Sequence, residues 1–268
     1  MRAVLGAFLR RSLFESTREL TPLALQLASI GMGLLSQAYL GKLVDSAPNP
    51  QLGSYSGHFA GYLLLGIALL DLQLATVGGL ARKIRDAQHL GWLETMLVTP
   101  APAWLLLVGL ALPDVLGSLL RMVIYAAAGA LIFGLDLGAA SVAGVLVTLV
   151  AALAAFAAFA LVGAALAMML RRADPLQLFL SAAALIAGGV FYPRGMLPAW
   201  LQSVGAWVPI APALDALRAA VVHGRGPAEL AEPLMRLAII VAVVGVIGAL
   251  ALRRALARAR DEGSLTAA

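Results

Sequence analysis

The chain has 268 residues, of which 62% are hydrophobic and only 12% charged, with 19 Lys and Arg against 14 Asp and Glu for a net charge of +5. Soluble domains carry about 25% charged residues, and one of this length cannot hide so much apolar surface, so a soluble globular fold and a disordered chain are both excluded. What remains is an all-α integral membrane protein, and the absence of cysteine removes disulfides, cysteine–zinc sites, iron–sulfur clusters and thiol nucleophiles.

Residues 1–20 place Leu5, Leu9, Leu13 and Leu20 on one helical face, with Arg10, Arg11, Glu15 and Arg18 mostly away from it. The pattern predicts an amphipathic interfacial helix on the cytoplasmic surface; a basic leader that only sets topology is the other reading. Glu15, Arg18 and Glu19 interrupt any apolar stretch of a cleavable signal.

A crossing helix needs about 20 apolar residues. Six stretches between residues 21 and 252 qualify: Thr21 to Val44, Phe59 to Ala81, one within Trp104 to Gly134, one within Ala140 to Leu170, Leu176 to Tyr192, and Pro233 to Leu252. The third and fourth exceed one crossing, so they are tilted or project beyond the bilayer. Basic residues orient the set. Arg2, Arg10, Arg11 and Arg18 precede span one, Arg82, Lys83 and Arg85 follow span two, and Arg171 and Arg172 follow span four. Arg253, Arg254, Arg258 and Arg260 close the chain in a basic tail over residues 253–268. With six spans these segments share one side and hold 13 of the 19 basic residues, whereas the connections Asp45 to His58 and Leu135 to Ala139 hold none. Both termini are therefore predicted to be cytoplasmic. Membrane lipids, not nucleic acid, are the expected counterpart of these basic segments.

A charge at mid-bilayer costs about 2.5–3.5 kcal/mol on insertion scales. Asp71 lies near the middle of span two with Gln73 close by, and Arg121 shares a face of span three with Asp114. Arg121 can snorkel inward if its crossing starts near Pro113. Asp71 has no such escape and must meet a donor, with Gln73 of a second copy as one candidate. A structural hydrogen bond, a substrate contact and a proton relay are the roles open to it, in that order. Span four is alanine-rich from Ala151 to Ala167, with Gly144 and Gly163, which suits close helix packing.

Two connections carry more pattern than topology needs. After span two, Trp92, Leu93, Met96 and Leu97 recur at helical spacing and Thr99-Pro100 stops them. This predicts a short amphipathic helix, over about residues 82–100 with its basic lead-in, that lies on lipid or docks in a partner's groove; a topogenic basic loop is the alternative. Before span six, Pro193, Pro198, Pro209 and Pro212 divide the chain into short pieces. Trp200, Leu201, Val204, Trp207 and Val208 form an apolar stripe, Pro198 suits a first helical turn, and a second helix fits Ala213 to Val222, with Asp215 and Arg218 spaced to pair. Residues 193–222 read either as an interfacial loop with two Trp anchors or as re-entrant helices. A 17-residue span five ending in Gly188-Gly189 leaves the chain poised to turn back.

The run Gly91-Trp92-Leu93-Glu94-Thr95-Met96-Leu97-Val98-Thr99-Pro100 resembles the "G-T-L-E-x-L-L-x-T-P" element of ABC-2 type transporter permeases, with Trp92 where Thr is common. Gly188-Gly189-Val190-Phe191-Tyr192-Pro193, then Leu197-Pro198 and Pro209-Ile210-Ala211-Pro212 to Arg218, is similar to that family's "G-x-x-F-P…L-P…N-P…R" stretch, with Val208-Pro209 where Asn-Pro is usual. The resemblance covers nearly the whole chain. It implies the membrane subunit of a bacterial ABC exporter in the cytoplasmic (inner) membrane, with two permease copies and two ATPase subunits. It further implies that Trp92, Leu93, Glu94, Thr95, Met96 and Leu97 form a coupling helix on the ATPase. Phe191, Tyr192, Pro193, Trp200 and Trp207 then belong to re-entrant helices closing the external side. This sequence has no G-x-x-x-x-G-K-[ST] loop, so ATP and Mg are expected on the partner ATPase and no cofactor on this chain.

Two other classes compete. An intramembrane enzyme needs a nucleophile with a base or a metal cluster, yet His58, His89 and His223 fall in connections and no H-E-x-x-H occurs, so no metal site is expected. A secondary transporter would favour repeated halves and several intramembrane ionisable groups. Aromatics are only 6% of the chain, which favours a lipid, lipid-linked or hydrophobic drug-like substrate over a polysaccharide that stacks on rings.

Overall fold

A computed structural model describes residues 31–33, 35–36, 39, 59–91, 103–133, 137–169 and 175–261. Among the described residues the regular structure is helical and no strand occurs. The expected interfacial helix at 1–20, most of the first expected span and residues 92–100 lie outside the described residues.

Four helices are long and apolar enough to cross a bilayer: α1 (Phe59–His89), α2 (Ala103–Phe133), α3 (Val142–Met169) and, with the short turn before it, α7 (Ala231–Asp261). Between α3 and α7 come α4 (Pro175–Ile186), α5 (Ala199–Gly205) and α6 (Ile210–Val222), with 3₁₀ turns at Arg194–Met196 and Pro227–Leu230. α5 and α6 meet at an angle of 89° and together make a fifth candidate span or a re-entrant pair.

Three expected boundaries are corrected. The second span does not stop at Ala81: the helix continues through Arg82, Lys83 and Arg85 to His89. Ala81, Ile84 and Ala87 recur every three residues and are fully buried, so packing carries the helix past the basic residues. It ends at His89, and Gly91 in the turn that follows has a φ of 71°, a conformation that disfavours any side chain. The last helix likewise runs beyond Leu252 to Asp261, because Leu252 and Ala255 pack in the same cluster as Ala81 and Ile84; the start of the basic tail is therefore helical. The fifth expected span stops at Ile186, not Tyr192, leaving a helix of 12 residues, about 18 Å long and too short to cross alone. Pro113, considered as a possible start of the third crossing, lies inside α2.

α1 is the central element. In its most apolar stretch 78% of residues are buried, against 11% in α2, so α2 presents its apolar side outward. Leu80, Ala81 and Ile84 share a cluster with Ala160, Ala164, Leu252 and Ala255, which sets α1, α3 and α7 parallel. α2 runs antiparallel to α1, bringing Leu110 to that same end and Arg121 to Asp71. α4 also runs against α1: Gln177 sits at Gly78, Gln73 bonds to Leu180, and the chain reaches Tyr62 by Gly189. The bundle thus has a basic end, with Arg82, Arg85, Arg253 and Arg254, and a far end where α1 begins and α6 passes into α7.

Candidate functional site

Tyr62 and Arg82 are 20 residues apart on α1, about 30 Å, which is the thickness of the hydrocarbon core. The two ends of the bundle are therefore about one hydrocarbon thickness apart. The densest polar arrangement is at the far end.

Its centre is Arg218 of α6, which is 5% exposed. One terminal nitrogen donates to the Gly189 carbonyl at 2.8 Å, and the other to the carbonyls of Tyr62 at 3.1 Å and Val190 at 3.3 Å. The guanidinium carbon also lies 3.4 Å from the centre of the Tyr62 ring, and the Tyr62 hydroxyl donates to the Gly189 carbonyl at 2.9 Å. α1, α6 and the turn after α4 are thus fastened at one point. That turn exists because Gly189 takes a φ of 75°, and the Tyr192 hydroxyl donates to the carbonyl of Ile186, the last residue of α4. The Asp215 carboxylate receives Arg194 from the 3₁₀ turn, Arg218 adds a second positive charge beside it, and Arg194 also donates to the Gln202 carbonyl of α5. Helical spacing put Asp215 and Arg218 within reach, and three converging carbonyls also take donors from the Arg218 guanidinium.

Of the residues expected to form the gate, Phe191 is exposed and Tyr192 and Pro193 are half-buried within this turn. Trp200 and Trp207 are 68% and 55% exposed and project with Val204 from α5 and the corner after it. Tyr62 and Arg194 were not singled out from the sequence. Arg194 carries a legible signal, since it is an arginine where the charge bias predicts few basic residues.

Within the bundle, Asp71 finds its donor in Arg121. The guanidinium approaches the carboxylate through two nitrogens at 2.8 and 3.2 Å, joining α1 to α2. Arg121 thus turns to Asp71 rather than snorkelling, and Asp71 finds its donor within its own chain. Gln73 is buried and donates to the Leu180 carbonyl of α4 at 3.4 Å. Lys83, expected to contact headgroups, pairs with Asp114 at 3.0 Å; Arg82 is exposed and Arg85 half-buried. Both pairs arise because α1 and α2 pack face to face in antiparallel fashion, a register that neither sequence segment specifies alone.

At the basic end, Trp92, Leu93, Glu94, Thr95, Met96 and Leu97 lie outside the described residues. Among the described residues no group of three His, Asp or Glu could hold a metal ion.

The long apolar helices, the basic end and the bent α5–α6 pair at the opposite end define a multi-pass membrane protein. The profile of the ABC-2 type transporter family matches residues 16–222, more than three quarters of the chain. The chain belongs to that family and is a membrane permease component of an ABC transporter. Members of this family generally work with an ABC ATPase subunit. No curated protein matches the chain.

Proposed function

We propose that the chain is the permease subunit of an ATP-driven exporter of a lipid, lipid-linked or hydrophobic substrate in the bacterial inner membrane. Two copies pair with two ATPase subunits that bind ATP and Mg. Six crossings, with α4 and the turn after it as the fifth, leave both termini cytoplasmic, and residues 1–20 lie along that surface. The coupling element at Trp92, Leu93, Glu94, Thr95, Met96 and Leu97 docks on the ATPase, and α5 and α6 close the external side. The observation that carries this reading is the bent α5–α6 pair held over the far end of the bundle, one bilayer thickness from the basic end.

The coupling element supplies the main test. Leu93→Asp buries a charge at the docking face, which costs several kcal/mol, and is expected to release the ATPase from the purified complex. Glu94→Ala is expected to leave the subunits assembled while lowering substrate-coupled ATP hydrolysis. Co-purification followed by transport in vesicles reads both, and a Leu93→Asp protein that binds and transports like wild type would remove the coupling role. A second expectation concerns the exposed tryptophans. Replacing Trp200 and Trp207 with Ala removes two interfacial anchors and should lower transport several-fold with ATPase binding intact. Loss of ATPase binding instead would put α5 on the wrong side.

A further inference from the structure

The far end holds a cavity of ≈ 380 Å³ lined by Tyr62, Arg194, Asp215, Arg218, His223 and Arg225. Three arginines line it against one acidic residue, Asp215, so its lining residues carry an excess of positive charge. Membrane insertion does not call for those charges: the basic segments that set orientation lie at the other end, and arginine on the far side opposes the same bias. The cavity sits level with Tyr62, one hydrocarbon thickness from Arg82, where the headgroup phosphates of the far leaflet lie. Guanidinium groups bind phosphate oxygens through paired donors and stay charged at any working pH. The helix that supplies Arg218 also lines a separate apolar cavity of ≈ 220 Å³ through Leu217 and Val221, together with Leu64, Leu65, Met122 and Tyr125. A polar cavity at headgroup level and an apolar one on the same helix suit an amphiphile.

We propose that the cavity at Arg194, Arg218 and Arg225 binds the phosphate group of an anionic lipid. Arg218 is fixed by carbonyls and forms the rigid wall, Arg194 is held by Asp215, and the exposed Arg225 completes the phosphate contacts from the rim. This assignment rests on the proposed handling of a lipid-like substrate and narrows it to one that bears phosphate.

The test uses the full chain in nanodiscs of phosphatidylcholine doped with phosphatidylglycerol, with retained lipid counted by native mass spectrometry. ATPase and transport are not involved, so failure here is distinguishable from failure of the exporter reading. Arg225→Gln, an exposed change that spares the Arg218 clamp, is expected to cut phosphatidylglycerol retention about tenfold, and Arg225→Lys to restore part of it. The pair Arg194→Gln with Asp215→Asn should lower retention further. Arg82→Gln with Arg85→Gln, at the opposite end, should leave this site's retention unchanged. Inorganic phosphate that displaces the lipid at millimolar concentration supports the phosphate chemistry with free phosphate as the source; retention insensitive to it supports the lipid. Equal retention by wild type and Arg225→Gln, or a loss confined to the Arg82 and Arg85 variant, overturns the proposal.

Discussion

Arg218→Met is expected to destabilise the chain by about 3–5 kcal/mol, a loss of the size seen when a buried charged group is removed from its partners. Methionine fills similar space but donates nothing. The carbonyls of Tyr62, Gly189 and Val190 would lose the donor that now serves all three, and hydrogen bonds to a charged group contribute about 1.5–3 kcal/mol each without adding fully. The contact of the guanidinium with the Tyr62 ring goes as well, worth roughly 0.5–2 kcal/mol. Arg218→Lys should recover only part, because one ammonium is a compact point charge and cannot fork across carbonyls on two segments. Tyr62→Phe separates the terms: it keeps the ring and removes only the hydroxyl bond to Gly189, for about 1 kcal/mol. Denaturant unfolding of the purified chain in detergent measures all three. If Arg218→Met unfolds with wild-type stability, the clamp does not hold α6 and the turn after α4 to α1.

Neutralising Asp71 is expected to be the second most damaging change, at about 2–3 kcal/mol. Asp71→Asn leaves the Arg121 guanidinium between two packed helices without its anion, and a lone charge at that depth costs about 2.5–3.5 kcal/mol. The side chains keep 20% and 27% exposure, so solvent screening sets the lower part of the range. Replacing both residues with leucine should be milder than either single change, since no charge is then stranded. The reversed pair Asp71→Arg with Arg121→Asp should recover most of the loss. The same unfolding assay over wild type, Asp71→Leu, Arg121→Leu and the double leucine variant forms a double-mutant cycle, and additive effects in it would show that the two groups do not interact.

Much of the bundle was legible because periodicity and charge act locally. α3 falls within its expected range and α2 within one residue of it, since most residues there are apolar. Pro198 and Pro209 stand at the starts of α5 and α6, whereas Pro212 lies inside α6, which begins at Ile210 rather than at the expected Ala213. The misjudged ends at Ala81 and Leu252 have one cause. Basic residues after Ala81 and Leu252 read as the edge of the membrane, and so they do mark polarity, but a helix ends where its hydrogen bonds and packing end. Ile84 and Ala255 keep packing beyond the charges.

Pairing was not legible. Of Asp71, Arg121, Lys83 and Asp114 only Asp71 was visible as a charge needing a partner, and the two pairs they form cross between helices whose register is set by the whole interface. Asp215 and Arg218 sit at helical spacing, yet each answers to a group far along the chain: Arg194 for one, Tyr62 and Gly189 for the other. The sequence by itself determined the all-helical membrane class, the basic end and the family resemblance, because composition, period and short motifs need only neighbouring residues. Tertiary structure alone decided which charges meet, where α4 stops, and that three arginines converge on one cavity, because those depend on how antiparallel helices slide into register and which carbonyls they leave facing a donor.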